Sequence, residues 1–466
     1  MSTKVIRSGR QHDVDMTEGS VFRHLLLFSL PLLAGNLFQQ LYNTVDTWVV
    51  GNFVSNEAFS AVGAVGPIAF MLIGAFSGLA SGAGVVISQY YGAKNFEKVR
   101  AAVHTAILMT VVLTICITAL GLSAAPHLLR FMKVPDEVFP EAMTYLDIYL
   151  SGIVGMLFYN MGAGILRAVG DSRRPFYFLC VAATLNTLLD LLLVIKFRMG
   201  VAGVAIATVI AQCTSAILTM WTLFRTDSCV RVSLKYMKPD WPILGKIVKV
   251  GIPAALQMGV TNFSNIFVQS YINQFGADCM SGWTAYNKMD AFIFMPMQSI
   301  ALAVTTFVGQ NLGVGNVERA KKGVRTALTM GVTVSLTISA VVISFAPSLV
   351  AFFNSKPAVV GYGTMLLRWL TPFYFLCCFN QVYSSALRGA GDSKAPMFIM
   401  LGSFVLFRQI YLYVMSHFIA NEIIPLAMGY PAGWFVCSVI SMIYYKSSHW
   451  ENKRLVDRTE IQTPLE

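Results

Sequence analysis

Long runs of apolar residues recur along the whole chain and are separated by short polar segments. A helix needs about 20 predominantly apolar residues to cross a bilayer, and the runs reach roughly that length. They are apolar on all faces and too long for membrane strands, so the pattern predicts helices rather than a barrel. The predicted spans lie near Leu25–Val50, Ala58–Ile87, Ala101–Leu122, Ala142–Ala163, Pro175–Ile195, Val201–Phe224, Ile247–Tyr271, Met280–Thr306, Ala327–Phe345, Val359–Leu387, Pro396–His417 and Ile423–Tyr445.

Composition also favours a polytopic membrane protein. Of the 466 residues, 56% are hydrophobic and only 12% are charged, which is about half the charged share of a soluble domain. A soluble chain of this length would form two or three domains, and their surfaces would need more charge. The composition therefore excludes an ordinary soluble enzyme, a disordered chain and a collagen-like fibre.

The net charge of +11 is explained by the orientation of the chain in the membrane. The tails and the loops on their side of the membrane carry 26 Lys and Arg residues, whereas the opposite loops carry 5. Cytoplasmic loops of membrane proteins are enriched in these two residues. We therefore expect both termini to lie on the cytoplasmic side of the plasma (inner) membrane, and we expect no nucleic-acid partner.

The two halves of the chain repeat each other. One pair of segments is identical at six of eleven positions, and two further matches follow in the same order. The matches are Leu166–Phe176 with Leu387–Met397 and Ser88–Ala106 with Gly309–Ala327, 221 residues apart, and Pro31 and Asn43 with Pro253 and Asn265, 222 residues apart. Six helices per repeat return the chain to its starting side, so the halves are parallel repeats about an axis along the membrane normal.

The repeat predicts the domain organisation. We expect an all-α polytopic protein with twelve transmembrane helices in two pseudo-symmetric six-helix bundles around a central cleft, a design common among secondary transporters. The predicted parts are a cytoplasmic N-tail at 1–20, an N-lobe at 21–225, an inter-lobe loop at 226–246, a C-lobe at 247–445 and a cytoplasmic C-tail at 446–466.

Six ionisable residues of the predicted spans are candidates for functional roles, because an ionised group at the bilayer centre costs about 2.5–3.5 kcal/mol. Each of them therefore needs a partner, a proton or a bound ion. The six residues are Asp46, Asp190, Asp290, Lys288, Arg368 and Arg408.

Four polar residues of the N-terminal half are predicted to lie at similar depth, roughly 8–12 Å from the outer ends of their helices by the helical rise. They are Asp46, Asn186, Asp190 and Thr208. Two carboxylates, an amide and a hydroxyl offer oxygen ligands to a small cation such as Na⁺, and two close carboxylates can instead share a proton. The alternative is a structural pair in which hydroxyls cap Asp46 and Asn186 hydrogen-bonds Asp190.

The repeat places no acid at the equivalent positions of the C-terminal half. Asp46 corresponds to Val268, and Asp190 corresponds to Tyr411 or Leu412. We therefore expect the coupling chemistry to lie in the N-terminal half.

Other polar residues within the spans have two interpretations each. Asp290 either forms a structural salt bridge with Arg368 or Arg408, or it contacts substrate or ion; Lys288 points elsewhere on its helix. Pro31 permits a bend in helix 1, which is either static or changes when Asp46 is protonated. A polar set on helix 1 either lines the cavity or joins helices by hydrogen bonds; it comprises Asn36, Gln39, Gln40, Tyr42 and Asn43.

With these residues identified, the sequence resembles the multidrug and toxic compound extrusion (MATE) family of transporters over about Thr17–Tyr445. The resemblance rests jointly on Asn186, Asp190, Thr208 and several longer stretches. These stretches are SLPLLAGNLFQQLYNTVDTWVVG at 29–51, QYYGAKNFEKVRAAVHTA at 89–106 with its copy at 310–327, and the LR(A/G)xGD loops at 166–171 and 387–392.

The resemblance implies two six-helix lobes that export organic cations, such as dyes and antibiotics, against Na⁺ or H⁺. It implies no cofactor beyond this coupling ion, and we expect a functional monomer in the lipid bilayer. It also implies that Pro31 matches the family's helix 1 bend and that a family cation or proton site comprises Asp46, Asn186, Asp190 and Thr208. One branch of the family carries acids on helices 7 and 10, which are absent here, so the branch coupled through the N-lobe is the better match.

Two other functions were weighed against a drug exporter. A lipid-linked oligosaccharide flippase of the same superfamily would need a larger and strongly cationic cavity, whereas the charges of the three acids and three bases named above cancel. A membrane enzyme would need clustered catalytic or metal-binding groups. The six His residues are scattered, and the chain has no HExxH, GxSxG or P-loop motif, so we expect no enzyme.

Overall fold

The structure is a computed structural model that describes residues 13–54, 56–132 and 134–456. Helices dominate these residues. In chain order the α-helices are α1 (Val21–Phe53), α2 (Asn56–Gly92), α3 (Phe96–Phe131), α4 (Phe139–Ser151), α5 (Ile153–Ala168), α6 (Arg173–Asp190), α7 (Gly200–Arg225), α8 (Trp241–Asn273), α9 (Ala277–Gly313), α10 (Val317–Phe353), α11 (Pro357–Leu370), α12 (Tyr374–Gly389), α13 (Lys394–Met400), α14 (Arg408–Val414), α15 (Ile423–Ala427) and α16 (Gly429–Ser447).

Short segments of other helix types interrupt or extend these α-helices. Three π-helical segments cover Leu191–Lys196, Leu401–Phe407 and Met415–Ile419, and three 3₁₀ turns cover Leu234–Tyr236, Thr371–Phe373 and Trp450–Lys453. π-Helical turns are rare and often lie at functional sites. One of them begins directly after Asp190, a predicted site residue.

Within the described residues, nine helices are long and apolar enough to cross a membrane, and α4 with α5 forms a tenth with a bend of 46°. Helix α8 and the pair α11–α12 occupy the places of the predicted seventh and tenth spans. The all-α, multi-pass architecture predicted from the apolar runs is therefore confirmed, and nine or ten of the twelve predicted crossings satisfy the length and composition of a span.

The chain forms two compact units. Among the described residues, unit 1 comprises 13–15 and Ala34–Ile252, and unit 2 comprises Met16–Leu33 and 253–456. The division passes through α1 shortly after Pro31 and through α8 directly before Pro253. The sequence-based lobe boundaries follow the repeat instead of these contacts, and they stay predictions.

The repeated Asn residues cap equivalent helices. The Asn95 side chain accepts a hydrogen bond from the backbone N of Lys98 at 3.2 Å, and Asn316 accepts one from Arg319 at 3.0 Å. Such caps satisfy backbone donors that the first helical turn leaves unpaired. The repeat in sequence is therefore a repeat of local structure.

The glycine and the aspartate that the two LR(A/G)xGD loops share each have a structural role. Gly170 and Gly391 have φ angles of +88° and +99°, a left-handed conformation that glycine adopts without steric cost. The aspartate that follows each glycine accepts backbone hydrogen bonds from the next helix: Asp171 from Arg173 and Arg174, both at 3.1 Å, and Asp392 from Ala395 at 3.4 Å.

The segment after α16 is anchored to the second of these loops. The Lys453 ammonium donates to Asp392 Oδ2 at 2.6 Å, and the Tyr444 hydroxyl donates to the same oxygen at 2.7 Å. The bond to Asp392 raises the pKa of Lys453 above its ordinary value. The Lys453 ammonium therefore stays charged at neutral pH. The Trp450 side chain of the same segment is buried in the core of unit 2.

Helix α5 packs closely against α7 through glycines. A Cβ added at Gly155 would lie 2.6 Å from the backbone N of Cys213, and one at Gly162 would lie 2.4 Å from Thr219 Cγ2. Small residues at helix interfaces allow such close approach in membranes. Helix α7, which carries Thr208, is thereby held close against α5.

We predict that Gly155→Ala lowers the free energy of unfolding by about 1–3 kcal/mol, because the backbones of α5 and α7 must separate. The measurement is the thermal unfolding temperature of the detergent-solubilised protein. Gly245→Ala on α8 is the control, since its added Cβ would have no contact within 4 Å, and it should keep or slightly raise stability. Equal stability of the two variants would contradict the close packing.

Candidate functional site

Helix α6 places an amide and a carboxylate on its buried face. Ala182, Asn186 and Asp190 follow each other at intervals of four residues, and all three are buried. Residues four apart lie on one side of a helix. Asn186 is 1% exposed and Asp190 is 0% exposed, so both polar groups lie inside the apolar bundle of unit 1.

The Asn186 amide is not satisfied by the described residues. Neither Nδ2 nor Oδ1 has a hydrogen-bond partner among the described residues. The structural alternative in which Asn186 hydrogen-bonds Asp190 is therefore wrong. Leaving a buried polar group without a partner costs about 1–3 kcal/mol, so an exception of this kind indicates a group oriented for something other than packing.

Thr208 adds a hydroxyl from the neighbouring helix. It is buried on α7, and its Oγ1 donates to the Val204 carbonyl at 3.0 Å. A hydroxyl that donates its proton keeps its oxygen lone pairs for a ligand. The carboxylate, amide and hydroxyl of unit 1 thus all offer oxygen atoms.

These oxygen atoms fit an alkali cation or a proton. The described residues contain no group of three or more His, Cys, Asp or Glu side chains arranged for a metal ion. Carboxylate, carbonyl and hydroxyl oxygens suit hard cations rather than soft transition metals. Na⁺ or H⁺ at this donor set stays a prediction.

The remaining predicted residues of helix 1 lie on α1. The side chains of Asp46 and Asn43 fall outside the described part of the structure, so their contacts stay predictions. Pro31 lies within α1, in the segment that belongs to unit 2. The other four predicted cavity residues have half-buried side chains: Asn36, Gln39, Gln40 and Tyr42.

Asp290 has a different partner from the one predicted. It accepts a hydrogen bond from the Tyr374 hydroxyl, and the Tyr374 and Tyr286 hydroxyls lie 3.1 Å apart. In the described part of the chain, Asp290 forms no ion pair with Arg368 or Arg408, so the predicted salt bridge is wrong. Tyrosine hydroxyls satisfy the carboxylate without burying a second charge.

The three bases of the predicted spans have separate environments. Lys288 and Arg368 are exposed on the protein surface. Arg408 is buried and donates from Nη1 to Asn265 Oδ1 at 3.0 Å. No sequence signal marked Tyr374 as the partner of Asp290, because the two residues are 84 positions apart and tyrosines are scattered along the chain.

Comparison with known proteins identifies the family. The sequence model of the MatE family matches residues 31–192 and 253–414, one segment in each repeat. The chain is 30% identical over 441 residues to the probable multidrug resistance protein YpnP of Bacillus subtilis strain 168, covering 95% of this chain and 98% of the relative. It is 25% identical over 449 residues to the probable multidrug resistance protein NorM of Thermotoga maritima, covering 94% and 95%.

A solved structure agrees with these matches. An outward-facing conformation of a multidrug resistance MATE family transporter of the MOP superfamily superposes with a TM-score of 0.89 at 25% identity, covering 95% of this chain and 98% of the other. The expectation of a transporter rather than an enzyme is therefore confirmed. The chain belongs to the MatE family, the multidrug and toxic compound extrusion transporters of the MOP superfamily.

Proposed function

We propose that this transporter exports organic compounds, often cationic and amphipathic, in antiport with Na⁺ or H⁺ by alternating access of its two lobes. The coupling site comprises Asp46, Asn186, Asp190 and Thr208. The observation that carries this proposal is the buried pair of Asn186 and Asp190, whose amide no described residue satisfies. The names of the relatives, probable multidrug resistance proteins, support the substrate class and favour it over a lipid-linked oligosaccharide.

The free-energy cost of burying a charge couples ion binding to the conformation of the lobe. An ionised Asp190 inside an apolar bundle is costly unless a cation or a proton neutralises it. Binding of the ion therefore stabilises a lobe conformation that an unneutralised carboxylate disfavours. A difference in ion affinity between two conformations is what shifts their populations, and substrate release on one side can thereby be linked to ion entry on the other.

The helix 1 residues complete the proposal. Asp46 would add a second carboxylate to the site, and Pro31 would let α1 change its bend as the site is neutralised. The polar side chains of α1 would line the substrate path, and the same role is proposed for Asp290. Asn36, Gln39, Gln40, Tyr42 and Asn43 form this helix 1 set.

We predict that Asp190→Asn abolishes ion-driven efflux of ethidium-type dyes while the protein still inserts, because the amide keeps the shape of the side chain but removes its charge. Asp46→Asn should have the same effect. The measurements are dye efflux from cells and expression in the membrane fraction. Asp227→Asn is the control, since Asp227 has a side chain 94% exposed in the loop before α8.

Normal cation-driven efflux by Asp190→Asn or Asp46→Asn would contradict the proposed site. The same variant tests whether the chain works as a monomer, which we propose because both repeats lie in one chain. Co-reconstitution of wild type with Asp190→Asn should give activity in proportion to the wild-type fraction. A steeper loss would indicate cooperation between chains.

The coupling ion can be identified with Asn186→Ala in vesicles that carry a Na⁺ gradient or a pH gradient separately. If Na⁺ drives transport, loss of one oxygen ligand should raise the half-saturating Na⁺ concentration about ten- to a hundredfold. This range corresponds to the free energy that a hydrogen bond to a charged group contributes. If H⁺ drives transport, the carboxylates hold the proton and the shift should be small. Dye flux that follows neither gradient would contradict antiport.

We also propose that both termini lie in the cytoplasm and that the protein resides in the plasma (inner) membrane. The 26 basic residues on one side and 5 on the other support this orientation. Green fluorescent protein fused to the C-terminus should fluoresce, and alkaline phosphatase fused there should be inactive. The reverse result would contradict the orientation.

A further inference from the structure

The two repeats can be compared position by position. The family segments 31–192 and 253–414 begin and end 222 residues apart, whereas Pro175 and Pro396 at the start of the fifth helix of each lobe are 221 apart. The π-helical segment Leu401–Phe407 lies after Pro396, and a π turn accommodates an extra residue within a helix. Beyond this segment and as far as residue 414, the offset of 222 therefore applies.

Burial supports this register. Asn186 and its counterpart Arg408 are each 1% exposed, and Asp190 and its counterpart Leu412 are each 0% exposed. On the opposite side of the helix, Leu188 is 59% exposed and its counterpart Ile410 is 54% exposed. The same faces of the two helices are thus buried in their own lobes.

In this register, three members of the proposed coupling site have counterparts of a different chemistry in the C-lobe: Asp46, Asn186 and Asp190. Asp46 and Asp190 correspond to Val268 and Leu412. Both of these apolar side chains are fully buried in one hydrophobic cluster of unit 2. The C-lobe counterpart therefore lacks the carboxylates that would bind an exchangeable cation.

The amide is replaced by an arginine that contacts aromatic rings. Asn186 corresponds to Arg408, and Tyr430 lies on α16, the last long helix of the C-lobe. The Arg408 guanidinium lies 4.5 Å from the centroid of the Tyr430 ring and 4.7 Å from that of Phe404. A desolvated guanidinium over aromatic faces is a favourable cation–π arrangement.

Neutral oxygens complete the surroundings of this guanidinium. Arg408 Nη1 donates to Asn265 Oδ1 at 3.0 Å and to Ser264 Oγ at 3.4 Å. Arg408 forms no ion pair in the described part of the chain, and its buried Nε finds no hydrogen-bond partner there. Buried charges are normally paired with an opposite charge. The aromatic rings and neutral oxygens around Arg408, which we call the cage, therefore hold a cation without a described counter-charge.

We infer that Arg408 is a tethered cation that occupies the C-lobe counterpart of the coupling site, so that this lobe holds its own guanidinium there and exchanges neither Na⁺ nor H⁺. The cage formed by Phe404, Tyr430, Asn265 and Ser264 is a site for an organic monocation of the guanidinium class. The inference rests on the proposed function, because it compares Arg408 with Asn186 of the proposed coupling site.

Chemical rescue tests the cage without the need for a transport assay. In Arg408→Ala, millimolar methylguanidinium should raise the thermal unfolding temperature measurably more than it does in the wild type, because the free cation refills the cage. Methylurea, a planar neutral analogue, should have no such effect. Arg368→Ala is the matched control, since Arg368 is exposed. Absence of a selective methylguanidinium effect would overturn the inference.

Two further substitutions keep the test valid if Arg408→Ala fails to fold. Arg408→Lys retains the positive charge, and Arg408→Met retains a chain of similar length without charge. The Lys variant should be the more stable of the two, since cation–π attraction survives in it. Equal stability would show that Arg408 only fills space and would overturn the inference.

Rebuilding the site tests the exchange of ions. In an Asp190→Asn background, Leu412→Asp should bind no cation, because Arg408 lies one helical turn before it and pairs with the new carboxylate. Adding Arg408→Asn should create binding of one Na⁺ or H⁺ per chain, measured by ²²Na⁺ binding or proton release. Equal ion binding by the single and double variants, or none by the double variant, would overturn the inference.

These experiments separate the two proposals. Retained transport by Asp190→Asn with an unchanged C-lobe would rule out the proposed coupling site, but it would not affect the rescue of Arg408→Ala by methylguanidinium. Failed rescue would rule out the tethered cation and would leave the proposed N-lobe site unaffected.

Discussion

The free-energy cost of placing a charge inside an apolar helical bundle governs the chemistry of this transporter. Each charge within the predicted spans is therefore informative. Asp290 is satisfied by a tyrosine hydroxyl, Arg408 by neutral oxygens and aromatic faces, and Lys288 and Arg368 by exposure. Asp190 lies fully buried one helical turn from an amide that the described residues leave unsatisfied, and the proposal of ion coupling in unit 1 rests on this pair.

Internal duplication makes this difference between the lobes visible. Both halves reuse the same caps and the same glycine–aspartate loops, because these features determine local helix geometry in either lobe. The ligands of the proposed coupling site do not determine helix geometry, so the C-lobe carries other residues at the corresponding positions. One extra residue, accommodated by the π-helical segment Leu401–Phe407, sets the register in which Arg408 corresponds to Asn186.

Some side-chain contacts could not be predicted from the sequence. The common buried face of Asn186 and Asp190 follows from helical spacing alone. The predicted salt bridge of Asp290 was wrong, because charge pairing was inferred from sign without knowing which helices meet. The hydrogen bond between Asn186 and Asp190 was wrong for a related reason: shared position on one face does not orient the amide toward the carboxylate. The side chain of Asp46 stays a prediction.

The sequence alone determined the helical architecture, the internal repeat and the family, because bilayer thickness and helical periodicity impose patterns along the chain that need no knowledge of neighbours. Tertiary structure alone decided the partners of the buried charges. Tyr374 reaches Asp290 across 84 residues, and Asn265 reaches Arg408 across 143 residues. Such partners are chosen by which helices pack together, since desolvation of a charge depends on every group around it rather than on its own residue type.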